Sequence, residues 1–375
     1  MSWNFWSQYD ATRVSPSAPQ LPLFGVPEDE DAPSSRADTG YEVGSDSNWD
    51  AIEPQRPAGW SAPEWAERPV RFVDGKDVGE TVACLTAPYG GYPVPVRLSE
   101  IGAVVVREEH GVLTREFDVV ERVVSLTTDL FPWDEIESLA ISLQQHGFRL
   151  LSAPLPVTTV GEHRVQAASY DYEVMRKAAQ NCSNTEMGRL EEAAIARDNH
   201  LPTVVDGRLE PRSGGLDRFT VPAVGVVKTH AQNYLHVRGM QLLYQLRPGQ
   251  RTPAFLIDPS LAVDPARGRP MPQRPRVISW FVRLAHQPHL APNWGLIRVE
   301  LPQPWFDTAF GGPTAAGRAF IDHLTLLLRE YRCRDEGYGR APVSLHPIVR
   351  AEQLLGALFT PHSTLARRFY RSQGL

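Results

Sequence analysis

The chain has 375 residues, 42% of them apolar and 22% charged, enough for a sizeable core and too apolar for a wholly disordered protein. Its formal charge of −6 hides a split: residues 1–70 hold 12 Asp/Glu and 4 Lys/Arg, while the rest holds 34 basic and 32 acidic groups. An acidic arm on a near-neutral body neither demands nor forbids a nucleic-acid partner.

Residues 1–68 read as an acidic, Pro-rich and mostly unstructured arm, with eight prolines and no sustained period. Apolar islands at Trp3, Phe5, Trp6, Leu21, Leu23 and Phe24 leave two readings open. One is a passive tail; the other is a short docking segment for a partner or for the body itself. The second unit, residues 69–375, opens with a strand over Val70–Val73, and further strands are expected over Glu80–Leu85, Ile101–Arg107 and Val112–Phe117. His110-Gly111 marks a turn between the last two. A helix follows over Asp134–His146. A longer helical pattern spans Tyr172–Asp198, with a break expected at the polar cluster Asn181–Asn184. Thr203–Val205 and Ala223–Lys228 read as buried strands, residues 247–275 as an ordered loop or insertion, and Val277–Leu284 and Gly295–Leu301 as strands. Helices over Ala315–Arg332 and Pro347–Leu358 close the chain, giving a mixed α/β domain around one central sheet.

Apolar runs such as Ile101–Val106 fall far short of the ~20 residues of a membrane span. No basic-then-apolar leader is visible at the N-terminus. Cys84, Cys182 and Cys333 are too scattered for a disulfide scaffold or a thiolate zinc site, which fits a cytoplasmic protein. The histidines lack zinc-enzyme spacing, and P-loop, dinucleotide and nucleophile-elbow motifs are absent from the sequence.

Two segments share one form. Val70 to Gly75 and Thr203 to Gly207 are each a hydrophobic strand ending in Asp-Gly. Set side by side, they would bring Asp74 and Asp206 together, and a divalent cation is the usual way to hold two close carboxylates as anions. A single Asp-Gly is only a turn signal, so the pair carries the weight. At ~100° per residue, Glu191 falls inside the apolar arc of its helix and Glu192 faces water. Glu191 is therefore a third candidate ligand, or else it pairs with Arg189 or Arg197. Lys228, at a strand end, is suited to a phosphate or a carboxylate. Trp280, Phe281, Trp294, Trp305 and Phe306 are either core or stacking surfaces for bases.

The order of these pieces resembles the NurA nucleases, the DNA-end-processing partners of the hexameric HerA ATPase. The resemblance runs from Phe72-Val73-Asp74-Gly75 through Arg189–Ala194, Val204–Leu209 and Val224–Thr229 to Leu345–Glu352, covering about residues 70–360. It implies an RNase H-like mixed central sheet with flanking helices. It also implies a metal-dependent deoxyribonuclease using Mn²⁺ or Mg²⁺, with Asp74, Glu191 (or Glu192) and Asp206 as ligands. Lys76, Arg208, Lys228 and His346 would meet DNA phosphate, and the protein would be a homodimer docked on a HerA-like translocase in DNA repair or antiphage defence. Lys76 and Arg208 stand where the family usually has serine, so they either grip phosphate or pair with the acids. A weakly active or inactive subunit that recruits or regulates the ATPase is the alternative. An actin-like ATPase is disfavoured, because the loops at Lys76 and Arg208 are not the Gly-rich hairpins such enzymes need.

Overall fold

The computed structural model describes residues 4–14, 37–38, 41–42, 49–160, 165–198, 200–209, 222–228, 235–257, 276–286 and 291–375. A short helix α1 (Phe5–Gln8) and strands β1 (Thr12–Arg13) and β2 (Ala37–Asp38) come first. A long antiparallel meander follows, of β3 (Arg71–Thr86), β4 (Pro93–Glu109) and β5 (Val112–Thr127). Next are α2 (Trp133–Gln145), β6 (Arg149–Ala153), the hairpin β7 (Val157–Val160) and β8 (Val165–Ala168), and the long helix α3 (Tyr172–Ala196). The chain continues with β9 (Thr203–Asp206), β10 (Ala223–Val227), α4 (Val237–Gln245), β11 (Phe255–Ile257), β12 (Val277–Arg283) and β13 (Leu296–Pro302). It closes with α5 (Gln303–Phe310), α6 (Ala315–Glu330), α7 (His346–Leu358) and α8 (His362–Gln373).

Among the described residues, one mixed sheet takes the order β2-β11-β12-β13-β10-β9-β3-β4-β5-β6, with β1 added on β3. The parallel pairs are β3/β9, β9/β10 and β5/β6. One face carries Phe72, Val204, Val224, Trp280 and Val299 against Phe320, Leu324 and Leu327 of α6 and Ile348 of α7. On the opposite face Val73, Ala103 and Val105 pack on Ala194 of α3.

The expected strand breaks largely vanish. β3 runs straight through Asp74-Gly75, with Asp74 opposite Val104 and Gly75 opposite Ala103, so the first Asp-Gly is not a turn. The reason is nonlocal, since β4 pairs with β3 along almost its full length and holds the glycine in extended backbone. The second Asp-Gly does end its strand, and Gly207 takes φ +117°. The turn at His110-Gly111 forms with both residues at positive φ, 52° and 80°, as a two-residue hairpin requires.

α3 is unbroken at Asn181–Asn184. Buried Ser183 bonds Asp77 at 2.6 Å, and Arg97 reaches both Ser183 (3.3 Å) and Asp77 (3.2 Å), so partners on β3 and β4 satisfy the buried hydroxyl of the polar cluster. Helix α7 is not the last, because α8 follows it.

The described parts of the acidic arm are structured and packed on the body. Phe5, Trp6 and Tyr9 are buried with Phe131, Leu365 and Phe369, and β1 pairs with β3 at Thr12–Cys84. Glu42 meets the buried Arg251 in a two-pronged contact of 2.6 and 2.7 Å. Of the apolar islands, Trp3, Leu21, Leu23 and Phe24 lie outside the described residues, as does most of the expected insertion at 247–275. No described helix is long and apolar enough to cross a membrane.

Candidate active site

Parallel pairing places Phe72 opposite Val204 and Val73 opposite Val205, so the next residue on each strand is an aspartate. Side chains alternate along a strand. Phe72 and Val204 enter the core beneath α6 and α7, whereas Val73 packs on α3. Asp74 and Asp206 therefore share the α7 face of the sheet, and Lys76 lies on that face by the same count.

Asp74 is only 7% exposed, and among the described residues no donor hydrogen-bonds its carboxylate. Burial and then the charge of Asp206 push its pKa well above the usual carboxylate range, with Glu191 and Glu352 adding to the rise and Lys228 opposing it. Asp206 has a partner in Lys228, whose Nζ donates to Oδ2 at 2.7 Å. Both β9 and β10 end at this point, which is how two adjacent parallel strands deliver an acid and its counter-ion together. Arg208, beyond Gly207, is partly exposed.

Glu191 reaches the cluster from the other side of the sheet. It belongs to the inward stripe of α3, Met175, Ala179, Ser183, Gly188, Glu191 and Ala194, and is buried. Glu192 is partly exposed and off that stripe. Glu191 fits against β3 because Gly75 has no side chain there: a Cβ on Gly75 would stand 2.5 Å from Glu191 Oε1. Arg71 fixes the relation of helix to strand. Its fully buried guanidinium donates to the carbonyls of Ala194 (3.1 Å), Ile195 (3.3 Å) and Asp198 (2.7 Å) at the end of α3, and pairs with Glu116. Three residues on from Arg71 is Asp74, and three before Ala194 is Glu191, so one cation sets the spacing of the two acids.

Glu352 on α7 was not expected from the sequence. It accepts a hydrogen bond from the Tyr338 hydroxyl at 2.7 Å, with Arg340 4.0 Å away. Arg340 is held in turn by Tyr338 and feels the charges of Glu352 and Asp206, and its pKa is raised. The helical phase of α7 held the signal: Ile348, Val349, Ala351 and Leu355 are buried, and Glu352 flanks that stripe four residues after Ile348. Lys76 extends toward the next turn, its Nζ 3.7 Å from where a Cβ on Gly356 would lie. His346 is exposed at the first turn of α7, and its ring makes no hydrogen bond among the described residues. Of the aromatics read as either core or stacking surfaces, Trp280, Phe281 and Phe306 are buried core.

As the side chains stand, no group of three or more His, Cys, Asp or Glu among the described residues is arranged to hold a metal ion. The donor chemistry nevertheless fits a hard cation: Asp74 is buried beside Asp206 with no donor among the described residues, and within the influence of Glu191 and Glu352.

Residues 204–355 match the family model of the NurA domain. The matched span is less than half of the chain. Asp206, Lys228 and Glu352 lie within the matched span, whereas Asp74 and Glu191, on β3 and α3, precede it. Among solved structures the chain is similar to the crystal structure of the NurA nuclease from Sulfolobus solfataricus. The identity is 10%, the TM-score is 0.38, and the match covers 82% of this chain and 81% of that one. A comparison with curated protein sequences gives no significant match.

Proposed function

We propose that the protein is a metal-dependent deoxyribonuclease that works with a HerA-like translocating ATPase, in DNA repair or antiphage defence, as a homodimer. The observation that carries the reading is Asp74: a buried carboxylate with no donor among the described residues, beside a second carboxylate on the parallel neighbouring strand. Burying such a group is costly unless a cation is part of the working site. The strand order β5-β4-β3-β9-β10, an antiparallel meander joined in parallel to two further strands, supports an RNase H-like arrangement.

Asp74, Asp206 and Glu191 would hold Mn²⁺ or Mg²⁺, which supplies an activated water and a charge clamp on the leaving oxygen when bound. Arg71 keeps α3, and with it Glu191, in register with β3. Lys228 neutralises Asp206 in the cation-free site and must turn away on loading, which frees its ammonium for a DNA phosphate. Lys76 projects from the same face toward α7 and, with Arg208 and His346, would hold the phosphate backbone and orient the scissile bond.

The ion pair of Lys228 with Asp206 also favours a second reading, because it satisfies one acid without any cation. On that reading the protein is an inactive subunit that recruits or regulates the ATPase. The test is Mn²⁺ binding and Mn²⁺-dependent degradation of linear DNA, with and without the cognate ATPase, by wild type, Asp74→Asn and Asp206→Asn. The nuclease reading expects binding and cleavage by the wild type and loss of both in each folded variant. A wild type that binds the ATPase but neither binds Mn²⁺ nor cuts DNA would replace it with the subunit reading.

A further inference from the structure

We propose that the groove bounded by α4, Trp49 and Gln250 binds a single strand of DNA along its phosphate backbone and leads it to the acid cluster; the assignment rests on the nuclease reading above.

The groove has a volume of about 660 Å³, and its walls include Trp49, Arg238, Gln241, Gln245, Arg247 and Gln250. Arg238, Gln241 and Gln245 recur at helical spacing, so one stripe of α4 forms a wall. Arg247 follows that helix, and its backbone N–H is held by Gln250 Oε1 at 2.8 Å. Arg238 and Arg247 are exposed, and neither makes an ion pair among the described residues. A third cation comes from the end of α6: the Arg329 guanidinium would lie 2.6 Å from a Cβ on Gly249. It too has no ion pair among the described residues. Asp50 is the one acid among the described residues of the lining.

Behind these residues lies a buried cation without a counter-charge. Arg283 is 1% exposed and donates to the carbonyls of Leu243 (3.4 Å), Pro292 (3.0 Å) and Trp294 (3.1 Å). Its Nε meets no acceptor and its guanidinium no carboxylate among the described residues. Burial lowers its pKa, and no acid offsets that. Its carbonyl accepts from Gly249 N–H at 2.7 Å, which sets it directly against the turn at 247–250. A buried charge calls for an opposite one, and a strand of phosphates supplies it. The glutamine amides between the arginines both donate and accept, which suits the base edges that a single strand leaves open.

The groove also lies where a strand would reach the acids. Asp206 is level with Val226, Val226 with Val299, and Val299 with Trp280, three residues before Arg283. Arg251 bridges Val282 in the next position beyond β12. The groove thus opens on the sheet edge that carries Asp206 and Lys228, about four strand spacings or ~19 Å along it. At ~3.4 Å per nucleotide of one strand, that span is about six nucleotides.

The experiment follows the fluorescence anisotropy of a labelled single strand of about 15 nucleotides, and of its duplex, with the full-length protein in EDTA, so that no cleavage intervenes. The double variant Arg238→Gln, Arg247→Gln is expected to bind the single strand at least tenfold more weakly. Its slope of log affinity against log salt should fall by about 1.4, or ~0.7 for each lost phosphate contact. Arg367→Gln removes an exposed cation from α8 and is expected to bind as the wild type does. Both proteins should keep the wild-type urea midpoint, since the altered side chains are exposed. Undiminished single-strand affinity in the double variant, with the wild type binding, would overturn the groove and leave the nuclease reading standing. An equal loss in Arg367→Gln would overturn it as a general charge effect. A loss seen with the duplex and not with the single strand would overturn the single-strand assignment. A wild type that binds neither DNA would remove the nuclease reading as well.

Discussion

Lys228 holds Asp206 in a 2.7 Å ion pair, with only 9% of the lysine side chain and 19% of the aspartate exposed, next to an Asp74 that no donor meets among the described residues. One ammonium thus serves a pocket of acids. A cation entering that pocket competes with it. Lys228→Met is therefore expected to raise Mn²⁺ affinity about tenfold, roughly 1.4 kcal/mol, and to lower cation-free stability by about 3 kcal/mol, since a buried charge loses its partner. Calorimetric Mn²⁺ titration and urea unfolding measure the two effects. Weaker Mn²⁺ binding in this variant would make Lys228 a supporter of the cation rather than its competitor.

Gly75 gives a way to move Glu191 without touching it. The Cβ of an alanine at 75 would fall 2.5–2.8 Å from the outer atoms of the Glu191 side chain. Those atoms end a flexible chain and can swing aside, and Gly75 sits in ordinary strand backbone. Gly75→Ala is expected to fold with stability within about 1 kcal/mol of wild type and to lose at least tenfold in Mn²⁺ affinity and DNA cleavage. Normal cleavage in the folded variant would place Glu191 outside the chemistry and leave it a packing residue.

Glu42 ties the acidic N-terminal region to the body, and its contribution depends on pH. Burial alone would raise its pKa, but the two-pronged hydrogen bond and charge of Arg251, with the Ala254 N–H, bring it below the usual range. A carboxylate with a lowered folded-state pKa stabilises above its unfolded value, about 4.3, and the gain disappears as pH falls through the folded value. Glu42→Gln is expected to cost about 3 kcal/mol at pH 7, with the gap from wild type closing below about pH 4. Urea unfolding from pH 7 to 3 measures it. A gap that stays constant down to pH 3 would mean that the ionised pair contributes nothing beyond packing.

The β-branched runs at 70–73, 101–106 and 203–205 made the central strands legible, and with them the neighbouring aspartates. The phase of α3 separated Glu191 from Glu192 for the same reason, since burial of one helix face is written locally. What the sequence hid was nonlocal. Asp74-Gly75 has the form of a turn until a partner strand pairs straight through it. Asn181–Asn184 has the form of a break until Asp77 and Arg97 meet Ser183. Glu352 is an ordinary helical glutamate until α7 is laid over Asp74. The N-terminal residues have the composition of a tail because their apolar partners, Phe131 and Phe369, lie far along the chain.

That N-terminal contact leads to the last prediction. Trp6 is 3% exposed, its indole N–H donates to Gln373 Oε1 at 3.1 Å, and its ring meets Phe369 edge-on at 5.4 Å. Phe5 and Tyr9 fill the same cluster, and the backbone of the segment is tied to β3 through Thr86 N–H to Tyr9 O at 2.9 Å and Val14 N–H to Val82 O at 2.8 Å. A segment held by a buried tryptophan, a side-chain hydrogen bond and strand pairing is part of the core. Trp6→Ala is expected to cost about 3–5 kcal/mol, and removal of residues 1–14 at least as much. Both losses should appear as lower urea midpoints, and hydrogen exchange should quicken in α8 and in the half of β3 around Val82. The acid cluster draws on the other end of β3, so Mn²⁺ affinity of the still-folded fraction should change less than threefold. Wild-type urea midpoints for both variants would mean that the segment docks without contributing to the fold.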